Sequence, residues 1–448
     1  MLNIIYAVIV TLSLLVTFQS AHTLYLTLYT WNRPPSEASA PEHFQPPRLS
    51  FTVMLPARHE EAVIGTTVGR VARANYPPGL MQILVICSAD DEGTIGKAVE
   101  KITQLREQGI HNVSMVVFRD GPINKPHGLN AALQHADKDV VTIFDAEDDI
   151  HPEIFNVVNT VMLNEQVKVV QGGVQLMNFD SNWYSALNVL EYFFWFKSRL
   201  HYHARHGATP LGGNTVFFVR DVIMSLGGWD ESNLTEDADI GLRLSAAGER
   251  IRIVYDDRYV TKEETPPTIR QFIKQRTRWS QGFMQTLKKG TWRELPTRRQ
   301  RRLAVYTLAF PQAQALLGLY VPFSLMTILS LKAPVLVALV SFLPVLTLFG
   351  HFLISAVGLY EFAGAHDLKV SPSAILWLAI GWIPYQLLVS YASMRAVLRH
   401  LRGISNWEKT AHIGAHRELA DDQGEALGEE PSRVALFQPG AGESAAGG

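Results

Sequence analysis

Apolar and polar positions divide the chain into three regimes. Residues 1–30 carry no charged side chain, and the run 4–29 is long enough to cross a bilayer. A secretory signal peptide is the competing reading, but the basic start is missing and the run is too long for a signal core. We read an uncleaved transmembrane helix, followed over 31–50 by a proline-rich polar linker. Short β-rich runs then recur at 51–55, 82–88, 113–118, 140–144 and 167–171, with helix-like stretches separating the first four and following the fourth. This alternation predicts an α/β fold with a mainly parallel sheet over 51–290, and ligands in such sheets bind at the carboxyl ends of strands. After Arg302 the stretches 303–331, 333–360 and 370–394 are again uncharged and each long enough to span.

Charge adds a topology to this pattern. Arg33 and Arg48 follow the first apolar run, so the positive-inside rule places the α/β region in the cytoplasm of a multi-pass protein of the inner or plasma membrane. The basic run Arg298-Arg299-Gln300-Arg301-Arg302 opens an interfacial and membrane region over 291–402 and suits anionic lipid. Arg395, Arg399 and Arg402 ask to be inside as well. That conflicts with three simple later crossings. It is resolved if 303–331, with Pro311, Gln312, Gln314 and Pro322, bends and re-enters beside the site; a proline-kinked span with a broken charge rule is the alternative. The tail, 403–448, is expected to be exposed or cytoplasmic and largely disordered. A net charge of -2 gives no reason to expect a nucleic-acid partner, and a single cysteine, Cys87, excludes an internal disulfide.

Chemistry gathers where strands end. The fourth run leads into Asp145-Ala146-Glu147-Asp148-Asp149, and residues two apart project to one side, so Asp145 and Glu147 can converge. Hard oxygen ligands there suit Mg²⁺ or Mn²⁺ shared with substrate phosphates; an acidic turn capping the next helix is the plain alternative. Glu60 ends the first run, Asp90 and Asp91 follow the second, and Lys125 comes to the same edge, although charged loops and surface lysines are common. Thr235-Glu236-Asp237 opens a helical pattern closed by Gly248, which also fits an ordinary capped first turn. Gln275, Arg278 and Trp279 stand at i, i+3 and i+4 on one helix face, able to grip a diphosphate and offer a sugar a flat surface.

The order of Asp145-Ala146-Glu147-Asp148, Thr235-Glu236-Asp237 and Gln275-Arg276-Thr277-Arg278-Trp279 resembles the membrane-integrated branch of family-2 glycosyltransferases, the cellulose, chitin, hyaluronan and poly-N-acetylglucosamine synthases. Pro210-Leu211-Gly212-Gly213-Asn214, Gly227-Gly228-Trp229-Asp230 and Trp407-Glu408-Lys409-Thr410 extend the match. The resemblance implies a glycosyltransferase A-type nucleotide-sugar domain. It implies metal and diphosphate at Asp145 and Glu147, with Glu147 replacing the usual second Asp, and a general base at Asp237. Gln275 and Arg278 would serve the diphosphate, Glu60 and Lys125 the nucleoside side, and Gly213, Glu236 and Trp279 the acceptor. The family often carries an Asp after the second strand to read the uracil; here Ser88 falls near that place and Asp90 and Asp91 come slightly later, so the nucleotide contact stays open among them. Expected partners are a UDP-sugar, a growing glycan or lipid acceptor and membrane lipid, with an accessory subunit compatible. The expectation is an inverting transferase building a β-linked polysaccharide. Transfer of one or few sugars to a lipid, or a nucleotide-binding transport or scaffold protein without turnover, are the rivals.

Overall fold

The computed structural model describes residues 2–31, 33, 39–331, 333–404, 406–408 and 417. Helix α1 (Leu2–Thr27) comes first. The α/β body runs β1 (Phe51–Pro56), α2 (Ile64–Ala72), β2 (Met81–Ser88), α3 (Glu92–Glu107), β3 (Val113–Phe118), α4 (Lys125–Leu133), β4 (Val140–Ile143), α5 (Ile154–Glu165), β5 (Val169–Gly172) and β6 (Val174–Leu176). It continues with α6 (Ser185–Phe194), a π turn at Trp195–Arg199, α7 (Leu200–Arg205), β7 (Val216–Val219), α8 (Arg220–Ser225), α9 (Glu236–Ala246), β8 (Ile251–Val254) and β9 (Thr261–Glu263). Four longer helices follow: α10 (Ile269–Lys289), α11 (Arg298–Leu331), α12 (Val335–Ala365) and α13 (Pro372–Leu401).

The five expected strands form, within two residues of the expected starts, as β1 to β5. They stand in a seven-stranded sheet of order β3-β2-β1-β4-β7-β5-β8, parallel except for β7, which runs against both neighbours. β1 is apolar at nearly every position because both of its faces are covered. Phe51, Val53 and Leu55 point into one core layer with Phe155 of α5, while Met54 points into the other with Leu129 of α4. The chain leaves β1 toward β2 on one side and reaches β4 on the other. A crevice therefore opens where the carboxyl ends of β1 and β4 diverge.

By length and composition α1, α12 and α13 can each cross a membrane. Their contacts separate them. α1 and α12 lie side by side, with His351 Nε2 3.1 Å from Ser20 Oγ. α11 leaves the body at Gln312, whose amide donates to Ser280 O at 3.1 Å, and reaches the far end of α1, where Tyr320 Oη donates to Ile9 O at 2.7 Å. The broken, re-entrant form expected for 303–331 is absent: α11 is one 34-residue helix with Pro311 and Pro322 inside it. Its amino-terminal part packs on the body through Leu303, Ala304 and Leu308, and no turn interrupts it beyond that.

α13 instead follows the body along its length. Leu378 is buried in the core, the Tyr385 ring stands 5.3 Å from that of Phe272, Thr277 Oγ1 donates to Ala392 O at 3.2 Å, and Arg399 Nε donates to Gln281 Oε1 at 3.2 Å. Its outer face carries exposed Leu376, Ile380, Tyr391 and Leu398, an apolar stripe at helical spacing. The Gly/Ala-rich end of the tail and Lys409-Thr410 lie outside the described residues.

Candidate functional site

β4 ends against a turn that Asp148 builds. Its carboxylate is fully buried, accepts from Asp145 N at 2.7 Å, and is held by Asn214 Nδ2 at 3.0 and 2.9 Å. Asp148 is therefore the support of the turn, and Asp145 and Glu147 are left facing the crevice. Asn124 caps α4 by accepting from His127 N at 3.0 Å, which sets Lys125 as the first helical residue. Lys125 Nζ reaches Asp145 Oδ1 at 2.5 Å and donates to Gly213 O at 3.2 Å. Burial pulls the Lys125 ammonium down, but Asp145, Glu236 and Asp237 more than offset this and hold it above its ordinary value.

α9 begins at Glu236, and its first turn touches α10 at Gly282. A Cβ there would stand 2.6 Å from Thr235 N, so only glycine permits the approach. The contact brings Glu236 and Asp237 to the same space as Gln275, Arg278 and Trp279. Asp239, the third carboxylate of the motif, turns away and pairs with Lys289 at 2.9 Å. Burial raises the carboxyls of both Glu236, to about 7, and Asp237, against the pull of Lys125. Arg278 is half-buried with its guanidinium 4.3 Å from the centre of the Trp407 ring, and loss of solvent lowers it against the opposing field of Glu236 and Asp145. Trp279 receives the Arg276 guanidinium at 4.6 Å and stands 6.1 Å from Tyr192.

One cavity of about 1160 Å³ runs from the strand ends to α1, α11, α12 and α13. Of the residues expected from the sequence, Glu60, Lys125, Asp145, Glu147, Gly213, Glu236, Asp237, Gln275, Arg278 and Trp279 border it. Asp90 and Asp91 do not. Asp91 is turned back to cap α3, accepting from Thr94 N at 3.2 Å and His59 N at 2.6 Å, and Asp90 is exposed beside Arg58 at 3.7 Å. Ser88 borders the cavity in their place.

Two groups were missed by sequence reasoning. Glu263, at the end of β9, borders the cavity and receives Asn214 Nδ2; β9 is three residues long and announces itself by no pattern. Trp407 is placed by Glu408, which Arg395 grips with two hydrogen bonds of 2.7 Å. The Trp407-Glu408 pair was visible as part of the resemblance, but its position over Arg278 was not.

By ligand type the donor set suits a hard divalent cation. Asp145, Glu147 and Glu263 offer carboxylate oxygens to one cavity, and burial followed by repulsion from Glu147 and Asp145 pushes Glu263 up to about 8. A second group, His59, Glu61 and Asp91, brings its ligand atoms within 4.8 Å of one another, with His59 and Glu61 exposed.

Among solved structures the chain resembles a mannosyltransferase from Pyrobaculum calidifontis, solved with GDP-Man and Mn²⁺. The TM-score is 0.59 and the identity 18%, covering 88% of this chain and 99% of that one. That likeness shows the glycosyltransferase A-type fold. Among curated proteins it is 25% identical over 253 residues to the beta-monoglucosyldiacylglycerol synthase of Nostoc sp., 55% of this chain and 52% of that protein. It is 25% identical over 301 residues to the poly-beta-1,6-N-acetyl-D-glucosamine synthase of Staphylococcus epidermidis, 66% of this chain and 68% of that one. The chain thus spans about half the length of the cyanobacterial relative. Residues 46–282, more than half of the chain and the whole of the crevice up to α10, match the family model described as glycosyltransferase-like family 2, and the chain belongs to that family of enzymes.

Proposed function

We propose that the chain moves a sugar from a UDP-sugar to an acceptor hydroxyl with inversion, and that it builds a β-linked polysaccharide at the membrane with its α/β body in the cytoplasm. The observation that carries this reading is the single cavity that joins Lys125, Asp145, Arg278 and Asp237 to the membrane-type helices. In the reaction, Arg278 and Lys125 face the diphosphate and stabilise the charge it gathers as the bond to the sugar breaks. Asp237 takes the proton of the acceptor hydroxyl as that oxygen attacks from the opposite side of the sugar. Trp279 gives the acceptor ring an apolar platform, and Gly213 leaves room beside Asp237. Asp145 and Glu147, joined by Glu263, would hold Mg²⁺ or Mn²⁺, which supplies further positive charge to the leaving diphosphate when bound.

A second reading has its own support. Apolar side chains such as Leu325, Val345, Leu348 and Ile383 border the far part of the cavity, and the Nostoc relative is named for a glycolipid. Transfer of one or few sugars to a lipid fits both facts. Family membership leaves no support for a scaffold without turnover. Membranes containing the protein, supplied with a panel of labelled UDP-sugars, separate the two readings by product size. Long chains support the polymerase, mono- or diglycosyl lipid supports the second reading, and no UDP release with any donor sinks both.

A further inference from the structure

The inner end of the cavity contains a cation that the transfer reaction does not use. Arg199 closes the π turn Trp195–Arg199, a single-turn irregularity of a kind that recurs at functional sites. The turn is fixed at the body end of α1, where Ser198 Oγ donates to Leu26 O at 2.8 Å and Thr30 Oγ1 to Lys197 O at 2.9 Å. Arg199 borders the cavity together with Gln19 and Ser20 of α1, Phe310 of α11 and His351 of α12. Its guanidinium stands 5.2 Å from the centre of the Phe310 ring and 5.8 Å from that of Trp195.

Among the described residues this guanidinium has no hydrogen bond and no ion pair. Its Nε is buried without a partner, and so is the hydroxyl of Tyr306, which its charge reaches. The nearest acid to act on it, Glu191, is engaged by Arg276. His22, whose ring meets Tyr306 edge-on at 5.0 Å, and His351 both feel the Arg199 charge and supply none to cancel it. A guanidinium left unpaired with its Nε buried is costly, and its planar fork matches a phosphate.

We propose that Arg199 and Tyr306 hold the anionic phosphoryl headgroup of a membrane lipid, whose tails lie against the apolar wall of the same cavity. Three features select this occupant. The level of the π turn, at the body end of α1, is where headgroups of the adjacent leaflet lie. A neutral glycan has no need of a full charge, and a free phosphate has no need of Phe310 beside it or of the apolar Leu325 and Leu348 along the same cavity. The inference goes beyond the transfer reaction and does not depend on it.

The test uses full-length protein in detergent, without any sugar donor, and reads bound adducts by native mass spectrometry. Phosphatidylglycerol, a diacylglycerol with the same tails, and inorganic phosphate are titrated separately and in competition. The expected result is one phosphatidylglycerol bound about tenfold more tightly than the diacylglycerol, with R199Q about tenfold weaker and R199K in between. Equal retention of phosphatidylglycerol and diacylglycerol by the wild-type protein overturns the proposal without recourse to a variant. Unchanged retention in R199Q also overturns it, and displacement by an equal concentration of inorganic phosphate assigns the site to the free anion instead.

Discussion

Gly213 holds its backbone against the carboxylate of Asp237. Its φ is +85°, and a Cβ at that position would lie 3.1 Å from Asp237 Oδ2. Its carbonyl also accepts from Lys125, so one residue ties the lysine side of the cavity to the base side. Gly213→Ala should cost about 1–2 kcal/mol of stability through the left-handed backbone and should displace Asp237. We expect transfer to fall at least about tenfold, since small misplacements of a reacting group are costly. Thermal unfolding and UDP release measure the two effects, and near-wild-type transfer would show that Asp237 does not depend on this contact.

Asp237→Asn should retain UDP and lose transfer by about a hundredfold or more, because the amide keeps the shape and cannot take a proton. The same residue sets a pH dependence. Burial favours its protonated form, and the base works only when ionised, so activity falls as pH drops through a raised value. The acid limb of kcat/KM should therefore lie above the ordinary carboxylate value of about 4. A limb at or below that value would remove Asp237 from the role.

Turnover should need a divalent cation, with Glu263 contributing. Glu263→Gln is expected to raise the Mg²⁺ or Mn²⁺ concentration for half-maximal activity by about tenfold. Full activity after exhaustive chelation would show the carboxylates to be a plain acidic turn.

Much of this arrangement is legible in the sequence because it is local. A six-residue apolar run such as Phe51–Pro56, too short for a helix of its own, reads as a strand covered on both faces, and acids directly after such a strand stand at the ligand edge. The face shared by Gln275, Arg278 and Trp279 follows from helical spacing alone. What was not legible depends on distant partners. Asp91 carries the charge expected of a nucleotide contact, but the turn beyond β2 spends it on capping α3. β7 enters the sheet between β4 and β5 against both neighbours, a pairing its own four residues do not encode, and Glu263 joins the cavity through Asn214, 49 positions away.

Arg278 and Trp279 are neighbours in sequence with different surroundings. Arg278 lies under Trp407 within the field of Asp145 and Glu236, whereas Trp279 faces Arg276 and Tyr192. Arg278→Ala should weaken UDP binding by about tenfold, the worth of a charge-assisted contact, and Trp279→Ala should shorten or abolish product with a smaller effect on UDP. Equal losses of UDP affinity in titration calorimetry would refute the division.

The membrane arrangement gives the last prediction. Hydropathy selects α1, α12 and α13 as spans, but α13 packs chiefly on α10 of the body, and we expect α1, α11 and α12 to cross. α11 starts on the body and reaches Ile9 at the far end of α1, and α12 returns, so that Glu361 meets Lys197 of the body at 2.7 Å. α13 then stays on the body from Leu378 to Arg399, and Trp407 lies over Arg278. Its exposed apolar stripe suits a helix lying in the interface, which is why its composition imitates a span. With the α/β body inside, this arrangement puts the α11–α12 connection outside and everything after α12 inside. Arg395, Arg399 and Arg402 then obey the positive-inside rule without a break in α11. Cys87 is buried and the only native thiol, so single cysteines can report the sides cleanly. Ala333→Cys should react with an impermeant maleimide on intact cells or right-side-out vesicles, and Lys369→Cys should react only after permeabilisation. A reporter fused after Thr410 should be active in the cytoplasm. If Lys369→Cys is labelled from outside, α13 is the crossing helix and the interfacial assignment fails.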